Sequence, residues 1–218
     1  GTGDFSSDLY GWKKEEASLE YAYKITEKSN ALLNGAYQHY RSDGSTGGQS
    51  PDSDSYSLMA GFGSTARRRF TYKALAGVTL FDTGDDQLMG GTYSLDSSWV
   101  INKKLAATIA GGSYFQPSQN QQNQVQQIYS LSTGLTYRPM RKVTTRLDLA
   151  ARREEGQYNN AYSQAQDQDL YSVRARADYE LMRYVSLYVS IEGQTRVSDS
   201  SSSEYDRVCG AVGVNLRY

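Results

Sequence analysis

Five arginines, Arg138, Arg146, Arg152, Arg174 and Arg176, gather in a short stretch of the chain, with Asp148, Asp178 and Glu180 interleaved among them. Guanidinium groups grouped on one surface bind anions, and rings of charged side chains set ion preference in pores, arginine and lysine favouring anions. A second chemistry is open to the same residues. Because both signs are present, they can form a cross-strand ion-pair network that fills and stiffens an interior, and the mixed composition favours this reading.

Hydrolytic chemistry has one candidate base, His39 in YQHYRSD, with Ser42 and Asp43 just beyond it. Hydrolases built on barrels use a histidine as general base with a serine or paired acids in reach. The position two residues on, where a serine would share the strand face, is Arg41. His39 is therefore read as a rim histidine and the chain as not an enzyme. A lone Cys209 forms no internal disulfide, and there is no His/Cys cluster for zinc, so Cys209 is read as a small packed residue. The stretch DGSTGGQSPDSDS lacks the ligand spacing of a calcium loop and is read as a solvated surface loop. No metal and no cofactor are expected.

The elements that must carry these residues are constrained by composition. The 218 residues allow one large domain or two small ones; hydrophobic residues make up 38%, mean hydropathy is -0.66 and net charge is -1. That balance implies neither a nucleic-acid partner nor an anionic surface as target. No apolar run approaches the roughly 18 residues that a membrane-spanning helix requires. Tyrosine and glycine are abundant, at 19 and 20, against 3 prolines. The chain begins at GTGD without a basic and apolar leader, which is read as a mature form or as a chain lacking upstream residues.

Alternation at period two recurs along the whole chain, and helical spacing is almost absent. Strands are expected near residues 15–26, 29–42, 54–65, 69–82, 90–101, 104–116, 126–138, 142–153, 169–181, 183–196 and 205–218. One parity is apolar, as in Tyr56, Leu58, Ala60 and Phe62, or Tyr129, Leu131, Leu135 and Tyr137. The other carries Glu20, Asn34, Gln38, Lys73, Asp96 and the whole arginine and acid set. A soluble barrel would bury the apolar face, and a membrane barrel turns it to lipid. Two features select the membrane solution. Aromatics bracket the apolar parity at both ends, Tyr93 and Trp99, Tyr129 and Tyr137, Tyr171 and Tyr179, as the two interfacial girdles of a membrane barrel do. The connections also alternate in length. Short basic links at Glu27-Lys28, Ala66-Arg67-Arg68, Asn102-Lys103, Pro139-Met140 and Met182-Arg183 are expected on the periplasmic side, and the long polar ones outside.

The final VGVNLRY places Val212, Val214, Leu216 and Tyr218 on one parity. It resembles the C-terminal strand of bacterial outer-membrane β-barrels that the barrel-assembly machinery reads. With that end in the periplasm, residues 15–26 also run downward, and eleven strands do not satisfy the even count of such barrels. The preferred reading is the C-terminal part of a larger even-stranded barrel. The other makes DFSSDLYGW (4–12) a twelfth strand joined through a KKEE turn, which lacks the residues a tight hairpin favours.

The stretch YELMRYVSLYVSIEGQTRVSDSSSSEYDRVCGAVGVNLRY is similar to the closing hairpin of the β-barrel porins encoded with exopolysaccharide and capsule clusters. It shares a basic turn, an upward strand, a Ser-rich loop with Tyr205-Asp206-Arg207, and the last strand; Cys209 departs from the family pattern. The resemblance implies polysaccharide passage through the outer membrane. The expectation is therefore an all-β, transmembrane, antiparallel up-and-down β-barrel over residues 1–218, with 11–12 strands in this chain and its C-terminus in the periplasm of a Gram-negative bacterium. Its lumen would pass or guide a solute, exported polysaccharide among the candidates. The alternative is a scaffold barrel with an occluded lumen holding a periplasmic or electron-transfer partner. The expected partners are outer-membrane lipid and lipopolysaccharide, the assembly machinery and a periplasmic export partner.

Overall fold

A computed structural model of the chain describes residues 12–42, 52–64, 69–84, 87–117, 125–157, 167–198 and 204–216. These form β1 (Trp12–Lys24), β2 (Asn30–Ser42), β3 (Ser53–Gly63), β4 (Phe70–Asp82), β5 (Gln87–Val100), β6 (Leu105–Pro117), β7 (Val125–Met140), β8 (Val143–Gln157), β9 (Gln168–Met182), β10 (Val185–Ser198) and β11 (Tyr205–Leu216). Each strand pairs antiparallel with the next, in the order β1 to β11, in one sheet. Among the described residues, β1 and β11 each pair on one side only. The architecture is the up-and-down antiparallel wall of a transmembrane β-barrel.

The expected strands are all present, with shifted ends. β1 starts at Trp12, and KKEE lies inside it, with Glu15 opposite His39 and Glu16 opposite Gln38. The twelve-strand alternative that used KKEE as a turn is thereby excluded: the four residues gain ladder bonds by staying extended. Pro139 and Met140 belong to β7, and the turn there is Arg141–Lys142; likewise Met182 ends β9, and the turn is Arg183–Tyr184. The register shift between Tyr137 and Met140 explains the first error, because an irregular ladder carries the strand past the proline. The basic segment 66–68 and most of the long loop residues fall outside the described residues.

Through the middle of the sheet, pairing register sorts the side chains to the expected parity. Glu20, Asn34, Met59, Gly77 and Thr92 form one cross-strand row, and Tyr37 stands opposite Tyr56 on the other face. The polar face is the concave one. Lys73 of β4 reaches Glu20 of β1 in an ion pair across two intervening strands, and residues of β1 through β7 line one shared cavity. The convex face is bare of protein. Leu131, Val173 and Ile191 stay 52, 50 and 59% exposed although they sit in mid-strand, so only lipid can cover them. On β9 the convex residues from Tyr171 to Leu181 carry no charge. From Tyr171 to Tyr179 the strand rises about 27 Å, or about 21 Å along the membrane normal at a tilt near 40°. That fits within the apolar band of about 25 Å typical of outer-membrane barrels.

Curvature has a local cause at β3–β4. A Cβ on Gly61 would collide with the Ala74 carbonyl, and one on Gly77 with that of Leu58. Both glycines lie on the concave face, and their lack of a side chain lets neighbouring backbones close in and bend the wall inward. This bend brings Lys73 within reach of Glu20.

Two outcomes check this fold. Leu149→Arg, in the middle of the convex face, lowers folding free energy in lipid by about 2–4 kcal/mol, measured by denaturant titration in vesicles, whereas Ser190→Arg on the concave face changes it little. Gly77→Val lowers the temperature at which the folded band is lost in heat-modifiable gel mobility, because the side chain has only the β3 backbone to occupy.

Candidate channel lining

The residues singled out by charge come together on the concave face of β7–β9, and β10 joins them. Across β8 and β9, Arg146 stands opposite Arg176 and Asp148 opposite Arg174; across β9 and β10, Arg174 stands opposite Glu192 and Asp178 opposite Tyr188. Asp148, Arg174 and Glu192 thus form a row of alternating sign. Arg174 donates from Nε (2.8 Å) and Nη2 (2.6 Å) to one Glu192 oxygen. Arg176 forks onto Asp178, with Nη2 at 2.7 Å from Oδ1 and Nε at 3.0 Å from Oδ2, and its guanidinium lies 4.3 Å from the Tyr188 ring centroid. Arg152 Nε stands 2.9 Å from Glu154 Oε1, without the alignment of a hydrogen bond. Among the described residues, Arg146 and Arg138 take part in no ion pair, and Arg138 lies where the β7–β8 register shifts. Glu180 faces Ser186 at the turn end.

The ion-pair network expected of this set is thus present on one wall, and Arg138 and Arg146 stand outside it among the described residues. Pairs consume Arg174, Arg176 and Arg152. Each pair remains partly exposed, so each contributes no more than about 1 kcal/mol, and the network stiffens more than it stabilises. Arg146, held opposite another guanidinium, keeps its donors for other acceptors.

The β1–β7 half of the concave face differs in character. Its cavity, about 440 Å³, is lined by small and hydroxyl side chains such as Ser57, Thr79, Ser94, Ser130 and Ser132, with Glu16 and Asp96. At its loop end the β5–β6 ladder stops at Tyr93 opposite Ser113, while β6 and β7 stay paired up to Pro117 and Val125. Beyond that point the β6–β7 ends lean over the concave side. Phe115 and Val125, whose parity would point them to lipid, are buried in a cluster with Tyr40, Phe81 and Leu88. Gly90 accommodates the Phe115 ring, which a Cβ would strike, and Gln127 Nε2 donates to the freed Gly91 carbonyl at 3.1 Å.

His39 lies on the convex face at the loop end. Its Nδ1 is 2.8 Å from Asp54 Oδ1, and the Tyr37 hydroxyl donates to the same oxygen at 2.7 Å. The partner comes from β3, not from the Ser42–Asp43 stretch, where Asp43 lies outside the described residues. Asp54 was legible only as an acid on the apolar parity at a strand end. Cys209 corrects the reading of a packed residue: it is exposed on the concave face, opposite Glu192, and accepts from Arg207 Nε at 3.0 Å. Its strand parity, opposite to that of Val212 and Val214, is the signal by which the sequence could have placed it there. Of the terminal strand, Val212 and Val214 are convex and exposed, Leu216 pairs with Val185, and Tyr218 is outside the described residues. Arg196, Arg207 and Tyr188 complete the concave wall; the first contacts Gln168. All three sit on the polar parity, the signal by which the sequence could have found them.

No family profile and no curated protein matches the chain. Solved structures do. The outer membrane channel DcaP of Acinetobacter baumannii superposes with a TM-score of 0.60 at 14% identity, covering 91% of this chain and 61% of that one. The loop L8 deletion mutant of OmpT, an outer membrane protein of Vibrio cholerae, superposes with a TM-score of 0.51 at 12% identity, covering 91% and 62%. The chain thus spans about three fifths of the length of each, and the likeness is one of fold.

Cys209 provides a check on which face is wet. In the protein reconstituted in vesicles, a charged, water-soluble methanethiosulfonate labels Cys209 within minutes, while a cysteine placed at Val212 in a Cys209→Ser background labels at least about tenfold more slowly, as lipid cover of the convex face requires.

Proposed function

We propose that this chain forms the wall of an outer-membrane, porin-like channel that passes anionic solutes, the class that includes acidic polysaccharides. One observation carries the reading. The concave face of β7–β11 holds seven arginines, the five recognised in the sequence with Arg196 and Arg207, against the five acids Asp148, Glu154, Asp178, Glu180 and Glu192. The acids engage arginines where they pair, so the cationic groups left over, Arg138 and Arg146 first, face the water-filled side. A polar lumen with surplus arginine favours anions, and the planar fork suits carboxylate and phosphate oxygens. The likeness to an outer membrane channel supports the transport role, and the closing hairpin's resemblance to exopolysaccharide-cluster porins supports the polymer.

A second reading, a scaffold barrel whose lumen is occluded, has one observation in its favour: the inward lean of Phe115 and Val125 onto Tyr40 and Phe81 narrows the loop end. Planar-bilayer recording separates the two. In a KCl gradient the channel reading expects steady conductance with a reversal potential on the anion side, moved toward cations by Arg138→Glu with Arg146→Glu. Cation preference in the unaltered protein would overturn it. Conductance that appears only in Phe115→Ala would establish the occluded form.

A further inference from the structure

The hydroxyl-lined cavity on the concave face of β1–β7, about 440 Å³, takes no part in the arginine wall. Its volume lies in the range of small-molecule sites, about 300–1,000 Å³. Among the described residues, no lysine or arginine lines it. Of its two acids, Glu16 is held by Lys14 at 2.9 Å, and Asp96 stands opposite Lys73, which pairs with Glu20. The lining therefore carries little net charge, and what it offers is hydrogen bonding of both senses.

The acceptors are serines whose protons are already engaged. Ser130 donates to the Gly112 carbonyl at 3.4 Å, Ser132 to that of Ala110 at 3.3 Å, and Ser94 to Asp96 Oδ2 at 3.5 Å. Each oxygen keeps lone pairs for the cavity. The donors come from β2, β3 and β5. Gln38 Oε1 accepts from the Tyr40 hydroxyl at 2.7 Å, which leaves the amide protons of Gln38 to the cavity. Thr92, 5% exposed, accepts from Thr79 at 3.2 Å and keeps its own proton. Ser55, also 5% exposed, lines the cavity with no hydrogen-bond partner among the described residues. A hydroxyl buried to that degree is costly unless something in the cavity meets it. Beside these groups, Tyr114 lines the same space and leaves much of its ring exposed.

We propose that this cavity is a binding site for one neutral sugar ring. An anion needs donors alone and an ammonium group needs acceptors alone, whereas a sugar hydroxyl gives and receives at one atom, as this lining requires. The C–H face of the ring has the Tyr114 face to rest on. One strand beyond Ser130 stands Arg152, which Glu154 engages, so the sugar site ends where the ion pairs begin. The site goes beyond the anion reading: it holds the uncharged part of a solute and needs only that the concave face be wet.

The test is saturation-transfer NMR on the whole chain in lipid nanodiscs, with maltotriose, cellotriose and chitotriose in turn. At least one of them receives transfer at its ring protons with a Kd of about 10 mM or tighter, the strength that a few hydrogen bonds exchanged for those of water give. Ser94→Leu with Ser130→Leu fills the cavity and weakens that binding at least about tenfold, and Ser55→Ala, which removes one donor, weakens it about two- to tenfold. Both variants keep the heat-modifiable gel mobility of the folded protein, and Arg138→Glu with Arg146→Glu leaves the sugar affinity unchanged. Transfer to none of the three sugars, or an affinity that the cavity variants do not move, overturns the sugar site and leaves the anion channel standing on its reversal potential. Sugar binding by a channel that prefers cations upholds the site and overturns the anion reading alone.

Discussion

A peptide N–H or C=O that meets hydrocarbon has no partner there, and each one left unpaired costs several kcal/mol. Everything else about this wall follows from meeting that requirement with strands. Strands meet it by pairing with their neighbours, and the eleven strands accordingly form one sheet in which each is antiparallel to the next. Pairing fixes the pleat, the pleat sends alternate side chains to opposite faces, and lipid then claims one face. Polar residues have only the other to occupy. The concentration of charge on the concave side is the consequence, and it brings together groups as distant in sequence as Glu20 and Lys73.

Curvature decides what that polar face becomes. A flat sheet would present Glu20 and Lys73 to water independently. Gly61 and Gly77 remove the atoms that would hold β3 and β4 apart, the wall bends, and the two side chains meet. At the other extreme, the β5–β6 ladder ends early, and the upper parts of β6 and β7 turn their apolar residues onto Tyr40 and Phe81. Burial there removes apolar area from water on a face that is otherwise wet, and the freed Gly91 carbonyl is satisfied by Gln127. The β1–β7 part of the wall thus holds a hydroxyl-lined cavity and an apolar cluster at its loop end.

The arginine wall of β7–β11 holds paired and unpaired guanidinium groups side by side. Forks onto Asp178 and Glu192 hold Arg176 and Arg174 at fixed positions, and the Tyr188 ring supports the first of these from its other side. The carboxylate on each guanidinium offsets its repulsion from neighbouring like charges. Arg146 sits opposite Arg176, and its own charge is left to the solvent-filled side. A lysine in this place would present one compact charge, without the planar fork that matches two oxygens at once.

Strand positions, the two faces, the aromatic girdles and the clustering of the five arginines were legible in the chain, because period-two alternation is a local property: each residue's face follows from its neighbours' parity. Ends were less legible. The β7–β8 turn lies past Pro139 because a register irregularity, set by the partner strand, extends the ladder. The alliances were not legible at all. Which acid takes which arginine, the His39–Asp54 contact and the burial of Phe115 against its own parity depend on register and on curvature. Register is fixed by side chains on two strands at once, and curvature by glycines that act through neighbouring backbone, so neither is contained in one strand's pattern. The sequence by itself determined which face meets lipid and which meets water. Only the folded sheet decided which charges are spent on one another and which stay unpaired.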